Sequence, residues 1–192
     1  YIDPKTGVSK LSNIRSEISG MGNISKYCSS DSIVDKTGSV YCTFEQKSFM
    51  RDDDNNPIYP LDFEDFNFRV SAQIEKKFHQ GAGIVRSIID KWKDSKKTFR
   101  LINRTTLKHK DYPVKVDISI LRTSRKEGRN MVPEFRFTNS GVSESIQTYE
   151  IEIEIDNTKV GPGTDYNDIE TLGAAIRKVI KLVMAGLQST NY

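Results

Sequence analysis

The stretch Tyr149-Glu150-Ile151-Glu152-Ile153-Glu154-Ile155-Asp156 alternates acidic with apolar side chains through eight positions. On a β-strand successive side chains point to opposite faces, so Glu150, Glu152, Glu154 and Asp156 share one side. Tyr149, Ile151, Ile153 and Ile155 share the other. Neighbouring carboxylates then stand roughly 6.5–7 Å apart, two strand rises of about 3.3 Å each. Like charges at that spacing oppose one another's ionisation unless a cation lies among them. One reading is a solvated strand face. The other is a carboxylate cluster for a hard divalent cation, Mg²⁺ or Mn²⁺, which takes oxygen ligands. The unbroken isoleucine backing favours the second.

Working outward, the same two-faced design recurs. Val114, Val116, Ile118 and Ile120 oppose Lys115, Asp117 and Ser119. Residues 97–107 place Arg100 and Arg104 on one face beside Ile102. Residues 68–75 set Phe68, Val70, Ala72 and Ile74 against Arg69, Ser71, Gln73 and Glu75. Residues 40–47 set Val40, Cys42 and Phe44 against Thr43, Glu45 and Lys47, and residues 13–19 carry Ile14 and Ile18 against Arg15 and Glu17. A short strand at 134–138 groups Phe135 with Phe137, giving seven expected strands. Helical spacing is confined to residues 83–92 and to the C-terminal run Ile169, Leu172, Ile176, Val179, Ile180, Val183 and Leu187, apart from one helical turn at 23–27. That last helix follows a Gly161-Pro162-Gly163 breaker and capping residues at 164–168.

The expected class is therefore mainly β, of the α+β kind. If helices cover the apolar backs, the charged faces are left to face one another, as in a closed antiparallel barrel with a charged lumen packed by the C-terminal helix. Such a lumen would hold a polyanion through Arg and Lys and a cation through the glutamates, which suits a phosphate chain bound with a metal ion.

Composition narrows the field. The 192 residues suit a single domain, and 29% are charged, yet the net charge is only +3, so opposite signs are interleaved. No apolar run approaches the ~18 residues of a membrane span, and no signal-peptide pattern opens the chain. Cys28 and Cys42 have no metal-ligand spacing and are expected as reduced thiols in a reducing compartment. His79 and His109 read as surface or structural residues. The run Asp52-Asp53-Asp54 lacks the spaced ligands and glycine of a calcium loop. Residues 124–130 form a basic loop, and residues 1–12 read as irregular.

Taken in order from Ile14 to Asp156, the strands resemble those of the metal-dependent RNA 5′-triphosphatases of the triphosphate tunnel family. Members occur in mRNA capping enzymes of fungi, protozoa and large DNA viruses. Phe99-Arg100-Leu101-Ile102-Asn103-Arg104-Thr105-Thr106 is similar to the family's Arg/Lys/Arg strand, with Ile102 where a lysine is common. Lys115-Val116-Asp117-Ile118-Ser119-Ile120 is similar to its basic-X-Asp-X-Ser/Thr strand. The run 149–154 is similar to its C-terminal glutamate motif. Ile14-Arg15, Lys47 and Arg69-Val70-Ser71 fit weaker basic positions.

The resemblance implies a closed eight-stranded tunnel and release of the γ-phosphate from triphosphate-ended RNA, the first step of cap formation. It implies Mg²⁺ or Mn²⁺ held by Glu152 and Glu154, with Glu150 beside them. Phosphates would be gripped by Arg15, Lys47, Arg69, Arg100, Arg104 and Lys115. Asp117 would hold a neighbouring base, and Ser119 would hydrogen-bond within the lumen. The family's earlier Glu-X-Glu strand has no counterpart here, so the chain is expected to be an N-terminally incomplete piece of a longer capping enzyme. Expected partners are triphosphate RNA, nucleoside triphosphates and a guanylyltransferase or methyltransferase domain or subunit, with no membrane. The setting implied is a viral factory in the host cytoplasm or a virion. Two alternatives stay open: a phosphohydrolase of free triphosphates, and a non-catalytic polyphosphate- or RNA-binding relative.

Overall fold

The computed structural model describes residues 12–186. The expected irregular stretch 1–12 falls almost wholly outside them, as does Leu187 at the end of the C-terminal helical run. The strands are β1 (Ile14–Glu17), β2 (Thr43–Phe49), β3 (Leu61–Phe63), β4 (Phe68–Val70), β5 (Gln73–Phe78), β6 (Arg100–Lys108), β7 (Val114–Thr123), β8 (Lys126–Glu127), β9 (Asn130–Met131) and β10 (Thr148–Ile155). The helices are α1 (Met21–Ser30), α2 (Gly83–Asp90) and α3 (Ile169–Gly186). The strands form four small sheets, ordered β1-β2-β5, β10-β7-β6, β3-β4 and β8-β9. The fold is mixed α+β with mainly antiparallel sheets and a C-terminal helix, and no closed barrel is present among the described residues.

Two compact units emerge. The first gathers the chain through Asp62 with Arg69–Phe99 and Thr123–Ser145; the second gathers Phe63–Phe68, Arg100–Arg122 and the chain from Ile146 onward. In the first, β1 pairs with β2 and β2 with β5, with Ile14 opposite Gln46 and Phe44 opposite Phe78. That register puts Ile14, Phe44 and Phe78 on one face, and Tyr27, Ile33, Cys42, Phe44 and Val85 form the buried cluster. Ile88, Ile89 and Trp92 extend α2's stripe onto it, while Ile84 is exposed. Fully burying a side chain such as Phe44 or Val85 contributes about 1.5–3 kcal/mol. Cys28 and Cys42 are unpaired, and burial pushes the Cys42 thiol up to about 11.

Four expected elements differ, the first being the basic loop at 124–130, which carries the β8–β9 hairpin. Residues 68–75 are not one strand: β4 pairs with β3, β5 pairs with β2, and the chain breaks at Ser71-Ala72. The helical turn at 23–27 is the middle of the longer α1. Residues 134–138 give no strand. Glu134 makes a lone antiparallel bridge to Lys97, and the Phe137 amide donates to Asp31 Oδ1 at 3.0 Å instead of to a neighbouring strand. Pro133, with no N–H, could not continue the pairing upstream.

In the second unit, β7 lies between β10 and β6. The β6–β7 connection is tied down at several atoms. His109 Nδ1 accepts from the amides of Asp111 and Tyr112, and Lys159 Nζ donates to the carbonyls of His109, Lys110 and Tyr112. Tyr166 Oη donates to the Asp111 carbonyl, and Lys178 of α3 sits 5.3 Å from the Tyr112 ring centre. These ties draw the chain after β10 towards the hairpin end of the sheet.

The backs of the strands are consequently not covered as expected. Tyr149 is 72% and Ile151 70% exposed, and Leu107, Ile118, Ile120 and Ile155 are exposed as well. No helix of the described residues is long and apolar enough to cross a membrane.

Candidate functional site

Strand periodicity puts Lys115, Asp117 and Ser119 on the face of β7 that matches the acidic face of β10. The register is Glu154 opposite Lys115, Glu152 opposite Asp117 and Glu150 opposite Ser119. Arg100, Arg104 and Thr106 come from β6 onto the same face. Neighbouring strands lie about 4.8 Å apart, so a β6 side chain must cross roughly 9.6 Å to reach β10. Arginine has that reach, and it lies across β7 to get there.

The result is a ladder of ion pairs over the full width of the sheet. Arg100 Nη2 meets Glu150 at 2.7 Å, Arg104 Nη2 meets Glu152 at 2.7 Å, and Lys115 Nζ meets Glu154 at 2.7 Å. Arg104 is held at two further atoms: Nη1 lies 3.2 Å from Asp117 Oδ2, and Nε donates to Ser119 Oγ at 3.1 Å. Thr106 Oγ1 donates to the other Asp117 oxygen at 2.5 Å. Asp117 and Ser119 are only 3% and 1% exposed beneath these side chains, whereas the six paired groups keep 34–43% of their side-chain surface open. A buried anchor thus carries an accessible layer of alternating charge.

At the end of the acidic strand, Asp156 does something different. Its carboxylate accepts from the Thr158 hydroxyl and amide at 2.6 and 3.2 Å, and Lys108 Nζ lies 3.2 Å away. The Thr158 bonds first, with Lys108 helping, hold its carboxyl down to about 2. Asp156 closes the turn Asn157–Lys159 and belongs to the scaffold.

Arg15, Lys47 and Arg69 belong to the first unit. Arg15 stands opposite Glu45 in register. Lys47 pairs with Glu75 at 2.6 Å. Arg69 grips Asp62 with two bonds, 2.5 and 2.9 Å, which lower the Asp62 carboxyl below the usual carboxylate range. The sequence reading missed Thr106 and Lys108. Both are legible in hindsight, two and four positions beyond Arg104 on the same strand face.

Among the described residues, no group of three or more His, Cys, Asp and Glu side chains is arranged to hold a metal ion. Strand spacing keeps successive glutamates about 7 Å apart, and a base engages each one. What the face offers a hard cation is two neighbouring carboxylates, Glu152 and Glu154. Each is paired with a base, Glu152 with Arg104 and Glu154 with Lys115. Carboxylate oxygens are the ligand type a hard divalent cation takes.

Comparison of the chain with protein-family models, with curated proteins and with solved structures found no match in any of the three.

Proposed function

We propose that the charged face of β6–β7–β10 binds a triphosphate end and that the protein is an mRNA 5′-triphosphatase, removing the γ-phosphate in the first step of cap formation. One observation carries this reading. Arg100, Arg104 and Lys115 form a half-open row of cations interleaved with Glu150, Glu152 and Glu154, over a buried Asp117 and Ser119. A triphosphate presents a row of anionic oxygens that can exchange with the glutamates for the same cations. The product, a diphosphate end, is what a guanylyltransferase domain or subunit consumes.

Each residue has a role derived from its surroundings. Arg100 and Arg104 offer planar forks for paired bonds to phosphoryl oxygens, and Lys115 offers a compact point charge. Asp117 and Ser119 fix the Arg104 guanidinium before substrate arrives, so less orientation entropy is lost on binding. Glu152 and Glu154 would hold Mg²⁺ or Mn²⁺, which when bound offsets charge on the transferring phosphoryl oxygens. Glu152 is placed to position the attacking water as a hydrogen-bond acceptor, and Glu150 keeps Arg100 in line.

The test compares γ-phosphate release from triphosphate-ended RNA with release from ATP and inorganic tripolyphosphate, with Mg²⁺ or Mn²⁺. RNA is expected to be the preferred substrate, with KM raised at least ten-fold by Arg100→Ala/Arg104→Ala. Faster release from tripolyphosphate identifies a free-triphosphate hydrolase. Binding of triphosphate RNA with no release from any substrate identifies a non-catalytic relative.

A further inference from the structure

The charged ladder leaves one charge cluster of the molecule unexplained. Residues 93–97 and 125–136 carry seven Lys and Arg against three Asp and Glu, a net +4 where the whole chain has +3. The two segments are joined. Lys97 and Glu134 exchange backbone bonds of 2.8 and 2.9 Å, which places Lys96 beside Phe135, its Nζ 5.4 Å from the ring centre.

The rest of the cluster rides on the β8–β9 hairpin. Glu127 faces Asn130, so Gly128 and Arg129 form a two-residue turn, and Gly128 takes the positive φ of 60° that such a turn needs at its first position. Arg129 is thereby set at the tip. The hairpin's base is fixed: the Arg125 amide donates to the Ser140 carbonyl at 2.8 Å, and the Val132 amide donates to the Arg125 carbonyl at 2.9 Å.

This surface differs from the ladder in one respect that decides its chemistry. On the ladder every base has a carboxylate. Here Glu134 takes only Arg125, and Lys97 Nζ is committed to the carbonyls of Trp92 and Ser95. Lys96, Lys126, Arg129 and Arg136 are exposed and have no carboxylate within ion-pair distance among the described residues. Phe135 is 45% exposed among them. Uncompensated cations around one exposed aromatic ring match a chain of phosphates bearing stackable bases.

We infer that this surface, the β8–β9 hairpin with Lys96, Phe135 and Arg136, docks the body of a single-stranded RNA through its phosphodiester backbone, with one base stacked on Phe135. The choice of RNA over other polyanions rests on the triphosphatase reading.

The test is fluorescence anisotropy with a 20-nucleotide oligouridylate bearing a 5′-hydroxyl, titrated across NaCl concentrations. The wild-type protein is expected to bind with affinity that falls linearly in log-log form. Lys126→Ala/Arg129→Ala/Arg136→Ala should weaken binding at least ten-fold at low salt and reduce the slope by about 2, at about 0.7 per phosphate contact. Phe135→Ala, as a second variant, should weaken it about five-fold or more with the slope unchanged. Unaltered affinity and slope in the triple variant, or wild-type binding to phosphatidylserine vesicles but not to this RNA, would overturn the inference. Because the probe has no triphosphate, the two readings fail separately. RNA binding without γ-phosphate release faults the triphosphatase reading, and γ-phosphate release with RNA affinity untouched by the triple variant faults this surface.

Discussion

Asp117→Ala removes the anchor under the charged ladder, and its consequences can be worked out from the contacts it loses. The carboxylate is 3% exposed and accepts from Thr106 Oγ1 at 2.5 Å while pairing with Arg104 Nη1 at 3.2 Å. Hydrogen bonds to a charged group contribute about 1.5–3 kcal/mol each. Both donors here lie on an exposed strand and can recover water, and Arg104 keeps Glu152 and Ser119. Exposure discounts both contacts: about 1.5 kcal/mol for the Arg104 contact, and for Thr106 about 1 kcal/mol, the net worth of an ordinary hydrogen bond, together about 2.5 kcal/mol. In a chain of this length that lowers the melting temperature by about 5–10 °C. Asp117→Asn keeps an oxygen for Thr106 but turns a donor towards Arg104, so it should lose about 1.5 kcal/mol. Urea denaturation of the three proteins measures both differences. In the same variants KM for triphosphate-ended RNA should rise, because Arg104 is no longer held in place. A stability change under about 0.5 kcal/mol for Asp117→Ala, or equal losses for Ala and Asn, would refute the anchoring argument.

Two more expectations bear on the sheet. The Asp156 carboxyl is depressed to about 2 in the folded protein, below an unfolded value of about 3.9. It therefore contributes stability that is full above pH ~4 and is lost as pH falls through about 2. Asp156→Asn should lower stability at pH 7 and converge with wild type near pH 2, and divergence that persists at pH 2 contradicts the assignment. Ile151 is 70% exposed, so Ile151→Glu should change stability by no more than about 0.5 kcal/mol. A loss of about 2 kcal/mol or more by thermal melting would mean that the isoleucine face is covered.

The strands carrying the site were legible because a two-residue period is hard to produce in any other way. Residues 149–156 and 114–120 lie within one residue of β10 and inside β7, and the faces drawn from the sequence are the faces seen. Periodicity names two faces without saying which one is covered. The aliphatic side of β10 was expected under a helix, yet the ties of Lys159 and Tyr166 to the β6–β7 hairpin draw the following chain elsewhere. Alternation also ran straight through Ser71-Ala72, where pairing of β3 with β4, turned at Asn67 with φ 49°, cuts the strand in two. At 134–138 the phenylalanines do not act together: Phe135 is exposed while Phe137 packs against the core, and the Phe137 amide is taken by Asp31 from more than a hundred residues away. In the site itself, residue types and faces could be read, while the reach of Arg100 and Arg104 across β7 to particular glutamates needed the strand order.

The central claim is that Glu152 and Glu154 sit where a triphosphate and a divalent cation meet. Single-turnover release of γ-phosphate from triphosphate-ended RNA, measured for wild type and Glu154→Ala over a Mg²⁺ titration, tests it most directly. The account predicts Mg²⁺-dependent release by wild type and a fall of at least about a hundred-fold in Glu154→Ala, on the scale of losing one preorganised electrostatic group. Undiminished release by Glu154→Ala, or wild-type release that is the same in excess chelator, would contradict it.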